Sequence, residues 1–299
     1  MNHNDLLSIE NDFLRVGISK DGAEMRVLFD QRGGYDILKR QDDPSWGGTA
    51  PILFPICGRL SGLTTRVGGK EYHMEPHGFL KQSRLTLLSH AEDKIVFTLS
   101  DSEELYASAY PFRFVATVEY ALEGSTLTTR VTVENRDTAL LPFAVGFHPA
   151  FRLPLAEGLT RGDAYLEFPI PTEPRTWRLT EGGYLLRGTD PLPLSESVIL
   201  PLSEAFFEKN DSVFLEKTGG CVRLRSTGSE RSIRIDYAGI PYLGLWRPAG
   251  DGVNYVCIEP WVGTPDYDGE VTELSEKRDM ILLPPGESRS VSYGITVEK

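Results

Sequence analysis

Phe114-Val-Ala-Thr-Val-Glu-Tyr120 and Leu127-Thr-Thr-Arg-Val-Thr-Val133 are neighbouring runs in which apolar and polar residues alternate. A period of two and an excess of β-branched residues are typical of half-buried strands. Glu123-Gly-Ser125 lies between the runs and supplies a turn. The sequence therefore predicts an antiparallel β-hairpin at this place.

The same pattern recurs along the chain and gives at least ten candidate strands. The further runs are Phe13–Ile18, Leu85–Leu88, Ile95–Leu99, Val213–Glu216, Val222–Arg225, Ser232–Tyr237, Tyr255–Ile258 and Ser290–Val297. Helical periodicity is confined to Asp101–Ala109 and Val271–Arg278. Prolines crowd the stretch from Pro154 to Pro201, which favours long loops with edge strands. We expect an all-β protein with few short helices, a large antiparallel β-sandwich forming a single domain over residues 1–299.

Charge and composition exclude several classes of partner. The 299 residues include 31 basic and 43 acidic side chains, a formal net charge of −12, without a run of Lys or Arg. This composition argues against binding to nucleic acid or to an anionic membrane surface. The first residues lack the basic start and apolar stretch of a signal peptide, and no apolar run reaches about 18 residues. We expect a cytoplasmic protein.

The three cysteines, Cys57, Cys221 and Cys257, are far apart and show no CxxC spacing. This pattern fits a reducing compartment better than a disulfide scaffold. Each is expected to be a small buried apolar residue rather than a reactive thiol.

The histidines His73 and His77 have the four-residue spacing of a zinc-binding helix. Pro76 lies between them and is poorly tolerated in a helix interior, so we predict no metal site. The segment instead reads as a turn that presents His77 beside a glycine. By itself, His77 is equally consistent with a binding residue and with an ordinary loop histidine.

Four further side chains are candidates for binding or chemistry. His148 and Glu259 each lie in an apolar run. By itself, His148 fits a hydrogen-bonded core histidine slightly better than a functional one. Glu259, if buried, indicates either a function or a partner, because an unpaired buried carboxylate is costly. Arg59 follows a glycine and could donate several hydrogen bonds, although a structural salt bridge explains it equally well. Asp211 precedes a candidate strand and also fits an ordinary turn. Five aromatic residues could form an apolar wall for a sugar ring or belong to the core: Trp46, Phe79, Phe147, Trp246 and Trp261.

Taken in order, these segments resemble the aldose 1-epimerase family of the galactose mutarotase-like superfamily. The resemblance runs from Ile9 to Glu287 and rests on four short motifs in register: Gly58-Arg-Leu60, Tyr72 to Phe79, Gly146-Phe-His-Pro-Ala-Phe151 and Cys257-Ile-Glu-Pro-Trp261. The residues of the second and third motifs resemble those of the family branch that is associated with lactose operons. The galactose enzymes carry Asn where Phe147 stands before the histidine, so the preferred sugar stays open.

The resemblance implies a sandwich whose concave face binds a hexose without a metal or organic cofactor. It implies that His148 is the general acid at the ring oxygen and that Glu259 is the general base at the anomeric hydroxyl. Arg59, His77 and Asp211 would bind sugar hydroxyls. A phosphorylated hexose would need Arg59 to be joined by Lys81 or Arg84.

Two other functions are consistent with the sequence. The chain could be a non-catalytic carbohydrate-binding or sensing protein on the same fold. A glycoside hydrolase would use two carboxylates, Glu259 with Asp211 or Asp266, separated by about 5 to 9.5 Å.

Overall fold

The computed structural model describes residues 6–196, 198–207, 212–248, 250 and 252–298. The strands, in chain order, are β1 Leu7–Glu10, β2 Leu14–Ile18, β3 Met25–Asp30, β4 Tyr35–Asp36, β5 Ile52–Leu53, β6 Thr64–Val67, β7 Lys70–His73, β8 Thr86–His90, β9 Lys94–Ser100, β10 Phe114–Glu123, β11 Thr126–Asn135, β12 Leu141–Phe143, β13 Gly146–Phe147, β14 Ala150–Arg152, β15 Ala164–Glu167, β16 Arg175–Leu179, β17 Leu185–Pro191, β18 Ile199–Pro201, β19 Ser212–Glu216, β20 Cys221–Ser226, β21 Ser232–Asp236, β22 Tyr242–Trp246, β23 Tyr255–Trp261, β24 Ile281–Leu283 and β25 Ser288–Glu298. The helices are α1 Glu103–Ser108 and α2 Glu204–Phe207, with 3₁₀ turns at Ser61–Leu63, Leu80–Gln82, Arg161–Asp163 and Leu274–Glu276.

The predicted hairpin is confirmed as β10 and β11, which lie inside a nine-stranded sheet. The two strands pair from Phe114 opposite Asn135 to Glu123 opposite Thr126. Burial alternates along β10, as the alternating sequence requires. The order of the sheet is β18-β15-β20-β21-β25-β11-β10-β9-β8.

An eight-stranded sheet forms the other large layer, in the order β17-β16-β19-β22-β23-β13-β5, with β14 also paired to β23. Every residue of β23 is buried. Val256 and Ile258 point into the main core, while Tyr255 and Trp261 belong to small clusters on the opposite face. Because successive side chains of a strand alternate between faces, Glu259 lies on this second face. We call it the pocket face.

The prediction of a turn or two of helix over Val271–Arg278 is confirmed in part. This segment contains only the 3₁₀ turn Leu274–Glu276, and its flanking residues Glu273 and Lys277 are extended. The side chain of Lys277 is buried and donates to the Asp266 carboxylate, an interaction that holds the chain against the sandwich. The expected helix over Asp101–Ala109 is confirmed as α1, capped by the Ser102 side chain.

The proline-rich stretch was predicted to form loops and edge strands, and this is confirmed in part. β17 and β18 are the edge strands of the two large sheets, but β15 and β16 lie one position further in. All three cysteines are buried and free, as expected. Among the described residues, no helix has the length and apolar character needed to cross a membrane.

Candidate active site

A pocket of about 920 Å³ opens on the pocket face of the eight-stranded sheet. Its size lies toward the upper end of the range for small-molecule sites. Side chains from β22 and β23 form its floor, and the chain just after β13 lies beside them. The loop before β5 and the loops around residues 58 and 77 form its walls.

Strand register places His148 beside Glu259. β13 and β14 flank His148, and both pair with β23. Gly146, two residues before His148, pairs with Trp261. Ala150, two residues after His148, pairs with Cys257 in the same register. His148 and Glu259 therefore occupy facing positions, although they are far apart in sequence.

The two side chains are in direct contact and enclosed by protein. His148 Nε2 lies 3.1 Å from Glu259 Oε2, and both residues are buried. Burial raises the pKa of the Glu259 carboxyl well above its usual value, because the ionised form loses its hydration. Burial lowers the pKa of His148 for the same reason, since the imidazolium is the charged form.

These pKa shifts disfavour the fully ionised pair. Burial favours a neutral imidazole beside a protonated carboxyl over an imidazolium beside a carboxylate. The two arrangements differ only in the position of one proton, which lies on Glu259 in the first and on His148 Nε2 in the second, across the 3.1 Å contact. His148 and Glu259 can therefore share one proton, and we call this pair the dyad.

His77 lies in the predicted turn and is held in a defined orientation. Its φ of 69° is in the left-handed region, and Gly78 follows with a φ of 71°. The backbone N–H of Gly58 donates to His77 Nδ1 at 3.1 Å, and the His77 N–H donates back to the Gly58 carbonyl at 2.8 Å. With Nδ1 accepting, Nε2 carries the proton of the neutral ring.

The same ring packs against the dyad. The centroids of His77 and His148 are 5.6 Å apart, and those of His77 and Trp261 are 5.3 Å apart. Burial, together with the positive charges of nearby side chains, lowers the pKa of His77 well below its usual value. His77 therefore presents a neutral N–H donor at the pocket.

The remaining predicted site residues are Arg59, Asp211 and Asp266. Arg59 is exposed and lines the pocket. Asp211 lies outside the described residues. Asp266 is buried, but its two oxygens accept hydrogen bonds from Lys277 Nζ at 2.7 Å and from the Ser61 N–H at 2.9 Å. Asp266 is therefore a structural ion-pair partner and is not part of the pocket lining.

Comparison with known proteins shows the family of the chain. A protein-family model described as aldose 1-epimerase matches residues 5–296. The chain belongs to the aldose 1-epimerase family. It is 29% identical to the chromosomal LacX protein of Lactococcus lactis, over 97% of this chain and 99% of that protein.

Two solved structures are similar to this aldose 1-epimerase family member over nearly their whole length. A galactose mutarotase related enzyme from Lactobacillus acidophilus has a TM-score of 0.91 at 30% identity, covering 98% of this chain and 97% of that one. A galactose mutarotase-like protein from Lactobacillus casei has a TM-score of 0.90 at 27% identity, with 98% and 100% covered. The expected sandwich fold is confirmed.

In this family member, Trp46 covers the dyad from the loop before β5. The centroids of the Trp46 and His148 rings are 4.8 Å apart, and the ring planes are inclined by 34°. The Glu24 carboxylate accepts from the backbone N–H groups of Thr49 and Ala50, at 2.6 and 3.0 Å, and so anchors this loop. Trp46 thereby shields the imidazole from water.

The predicted aromatic wall is confirmed for the three tryptophans only. Trp46, Trp246 and Trp261 line the pocket. Phe147 is buried in the main core, because alternation along the chain turns it away from the side of His148. Phe79 packs against the same core.

Gly244 is a site residue that the sequence analysis missed. It pairs with Glu259 in the ladder of β22 and β23. A methyl group at this position would lie 3.2 Å from the Glu259 Cβ and 3.6 Å from Oε2. Glycine thus keeps the space over the carboxyl group open. The available signal was a glycine inside the apolar run Tyr242–Trp246, which indicates close approach.

Cys257 belongs to the same cluster. Its Sγ and ligand atoms of His148 and Glu259 lie within 4.8 Å of one another, a spacing that could hold a metal ion. Metal ligation by cysteine requires the thiolate. Burial raises the pKa of the Cys257 thiol well above its usual value, so without a metal ion this group is a neutral thiol.

Proposed function

We propose that the chain is a cofactor-free mutarotase that interconverts the α and β anomers of a hexose. The observation that carries the proposal is the dyad of His148 and Glu259, two buried groups 3.1 Å apart at the floor of a large pocket. Membership of the aldose 1-epimerase family supports the same activity.

The geometry suits the opening of a cyclic hemiacetal. Ring opening removes a proton from the C1 hydroxyl and delivers one to the ring oxygen, and both oxygens are bonded to the same carbon. An acid and a base must therefore lie side by side, as His148 and Glu259 do. General acid–base catalysis of this kind contributes on the order of 10²- to 10⁴-fold per group.

We assign Glu259 as the base for the C1 hydroxyl and His148 as the acid for the ring oxygen. After the C1–O5 bond breaks, rotation about C1–C2 turns the other face of the aldehyde to O5. Closure returns the proton from O5 to His148 and the proton from Glu259 to O1. The atoms balance, and the dyad ends the cycle with one proton.

The neighbouring side chains have binding roles in this proposal. The neutral N–H of His77 donates to an oxygen near the reacting carbon. Arg59 binds hydroxyls at the pocket mouth, and Trp46 excludes water from the dyad. Asp211 keeps its proposed role as a further hydroxyl ligand.

Two alternatives differ in measurable products. A sugar-binding protein would bind hexose without accelerating anomer exchange. A glycoside hydrolase needs a second carboxylate at the pocket. Of the two candidates, Asp266 is held by Lys277 and Ser61, and Asp211 lies outside the described residues.

Polarimetry of freshly dissolved α-D-galactose and α-D-glucose tests the proposal. We expect the protein to accelerate the change in rotation, and His148→Ala to lose this acceleration. His73→Ala is the matched control, because His73 is exposed at the end of β7. Sugar binding without acceleration would select the binding protein, and release of reducing sugar from a glycoside would select the hydrolase.

A further inference from the structure

Two positive side chains, Lys81 and Arg59, line the pocket near the dyad. Lys81 is half-buried in the 3₁₀ turn after His77, and Arg59 is exposed at the pocket wall. Among the described residues, no carboxylate oxygen lies within ion-pair distance of either one. Both charges help to lower the pKa of His77, and that of Lys81 also helps to lower the pKa of His148. The two cations therefore lie on the side of the pocket that contains the imidazoles.

The nearby acids of the pocket are engaged elsewhere. Asp21 pairs with Arg84 at 2.8 Å, and Glu24 pairs with Arg26 at 2.6 Å. Arg84, the other cation suggested by the sequence, is thus already partnered. Glu75 acts on Lys81 at longer range, since it raises the Lys81 pKa while burial lowers it.

Among the described residues of the pocket wall, the remaining acid is Glu181, which lies at the other end of the sheet. It belongs to the turn between β16 and β17, which form one edge. The turn that contains Lys81 packs on β5, the strand at the opposite edge. Positive charge is therefore concentrated at the β5 end, next to His77, with Glu259 between the two ends.

We propose that Lys81 and Arg59 form a subsite for an anionic substituent of the hexose, so that the substrate class is a phosphorylated or otherwise acidic hexose. This inference rests on the proposed mutarotase function. A half-buried ammonium without a carboxylate partner is costly, and an anionic ligand offsets that cost. A lysine supplies a point charge, while the arginine fork binds phosphate or carboxylate through two hydrogen bonds.

The reaction restricts where the anionic group can be attached. C1 must carry a free hydroxyl, because the mechanism removes its proton, and O5 must belong to the ring. The substituent therefore lies at another carbon, and C6 carries it outside the ring, where neither C1 nor O5 is altered. A hexose 6-phosphate and a uronic acid both satisfy this condition. The pocket, at about 920 Å³, has room for either.

Exchange NMR of the anomeric protons tests the subsite, because it measures interconversion at equilibrium without pure anomers. The probes are D-galactose, D-galactose 6-phosphate and D-galacturonate, with the corresponding glucose compounds. We expect kcat/KM to be at least about tenfold higher for an acidic sugar than for its neutral parent, since a hydrogen bond to a charged group contributes on this scale. In Lys81→Met this ratio should fall by about 10- to 100-fold.

Matched variants separate recognition of the anion from folding and from the chemistry. Lys81→Arg retains the charge and should keep most of the preference. Lys70→Met removes the same residue type from an exposed position on β7 and should leave the ratio unchanged. Arg59→Met is a second test if Lys81→Met folds poorly. Because Arg59 also binds hydroxyls, its loss should lower activity on the neutral parent, and a further fall in the acidic-to-neutral ratio is expected from the subsite. The higher of the phosphate and uronate ratios identifies the substituent.

The possible failures are distinguishable. Exchange of neutral hexose at a rate equal to or above that of the acidic sugars overturns the subsite and leaves the mutarotase proposal intact. Absence of exchange with every sugar overturns both. An equal effect of Lys81→Met on neutral and acidic sugars would mean that Lys81 acts only through the imidazoles, which also overturns the subsite.

Discussion

Glu259→Gln should separate activity from stability. The substitution keeps the size of the side chain and removes its ability to ionise. Glu259 is buried, and burial raises its pKa, so the carboxylate form is costly to the folded protein. Glutamine avoids that cost, and it can still hydrogen-bond His148. We expect kcat/KM for anomer exchange to fall by about 10²- to 10⁴-fold, with no loss of stability at neutral pH.

The pH dependence follows from the sign of the pKa shift. The folded protein binds a proton at Glu259 more tightly than the unfolded chain, in which the pKa is near 4.5. The stability contributed by Glu259 is therefore full below that value, and it decreases as the pH rises to the folded pKa. The slope is about 1.4 kcal/mol per pH unit. Glu259→Gln lacks this slope, so its stability relative to the wild type should increase with pH.

Asp266→Asn is the matched comparison, because Asp266 is also a buried acid. Its carboxylate pairs with buried Lys277, so the substitution leaves an unpaired charge in the interior. We expect a loss of about 3–5 kcal/mol with little change in the activity of the folded fraction. Urea denaturation at pH 5 and pH 8, combined with exchange NMR, measures both quantities. A Glu259→Gln protein that retains activity within tenfold of the wild type, or that loses more than about 2 kcal/mol, would refute the reasoning.

Three further predictions concern the groups around the dyad. His77→Asn keeps a residue that tolerates positive φ but cannot titrate. Below pH 6.5 the unfolded chain binds a proton at His77 that the folded protein excludes. The stability of the wild type should therefore fall faster with decreasing pH than that of the variant. Urea titrations should show a difference in slope of at most about 1.4 kcal/mol per pH unit. Gly244→Ala should lower kcat/KM with a smaller effect on stability. In Gly146→Ala the added methyl group would lie 2.8 Å from Cys57 Sγ, so this variant should lose about 1–3 kcal/mol of stability. Equal stability of the two variants would contradict this. Trp46→Ala should admit water to His148 and raise its pKa, which moves the acidic limb of the pH–rate profile to higher pH; an unmoved limb would show that Trp46 does not shield the ring.

The one-proton dyad also reconciles two views of the site. The assignment of Glu259 as base and His148 as acid requires a carboxylate and an imidazolium, whereas burial favours the neutral forms. Proton count, and not proton position, determines the limbs of a pH–rate profile for a coupled pair. A bell-shaped profile is therefore still expected, with one limb for loss of the shared proton and one for gain of a second.

The sequence by itself determined the layers of the protein and the identity of its candidate residues. Period-two alternation in residues 114–133 predicts strands regardless of what they pair with, because it depends only on which side of a strand faces the core. Local chemistry was also readable, as when Pro76 excluded a zinc helix at His77. The motifs around His148 and Glu259 also identified both residues as candidates.

Only the tertiary structure decided how these residues work together. The contact of His148 with Glu259 depends on the register of β13 and β14 against β23, a long-range pairing that neither segment encodes alone. The pKa shifts depend on enclosure by side chains from several elements. Asp266 and Glu259 look alike in the sequence, yet one pairs with a buried lysine and the other faces an imidazole. Distances and desolvation belong to the assembled fold, and a linear sequence does not specify them locally.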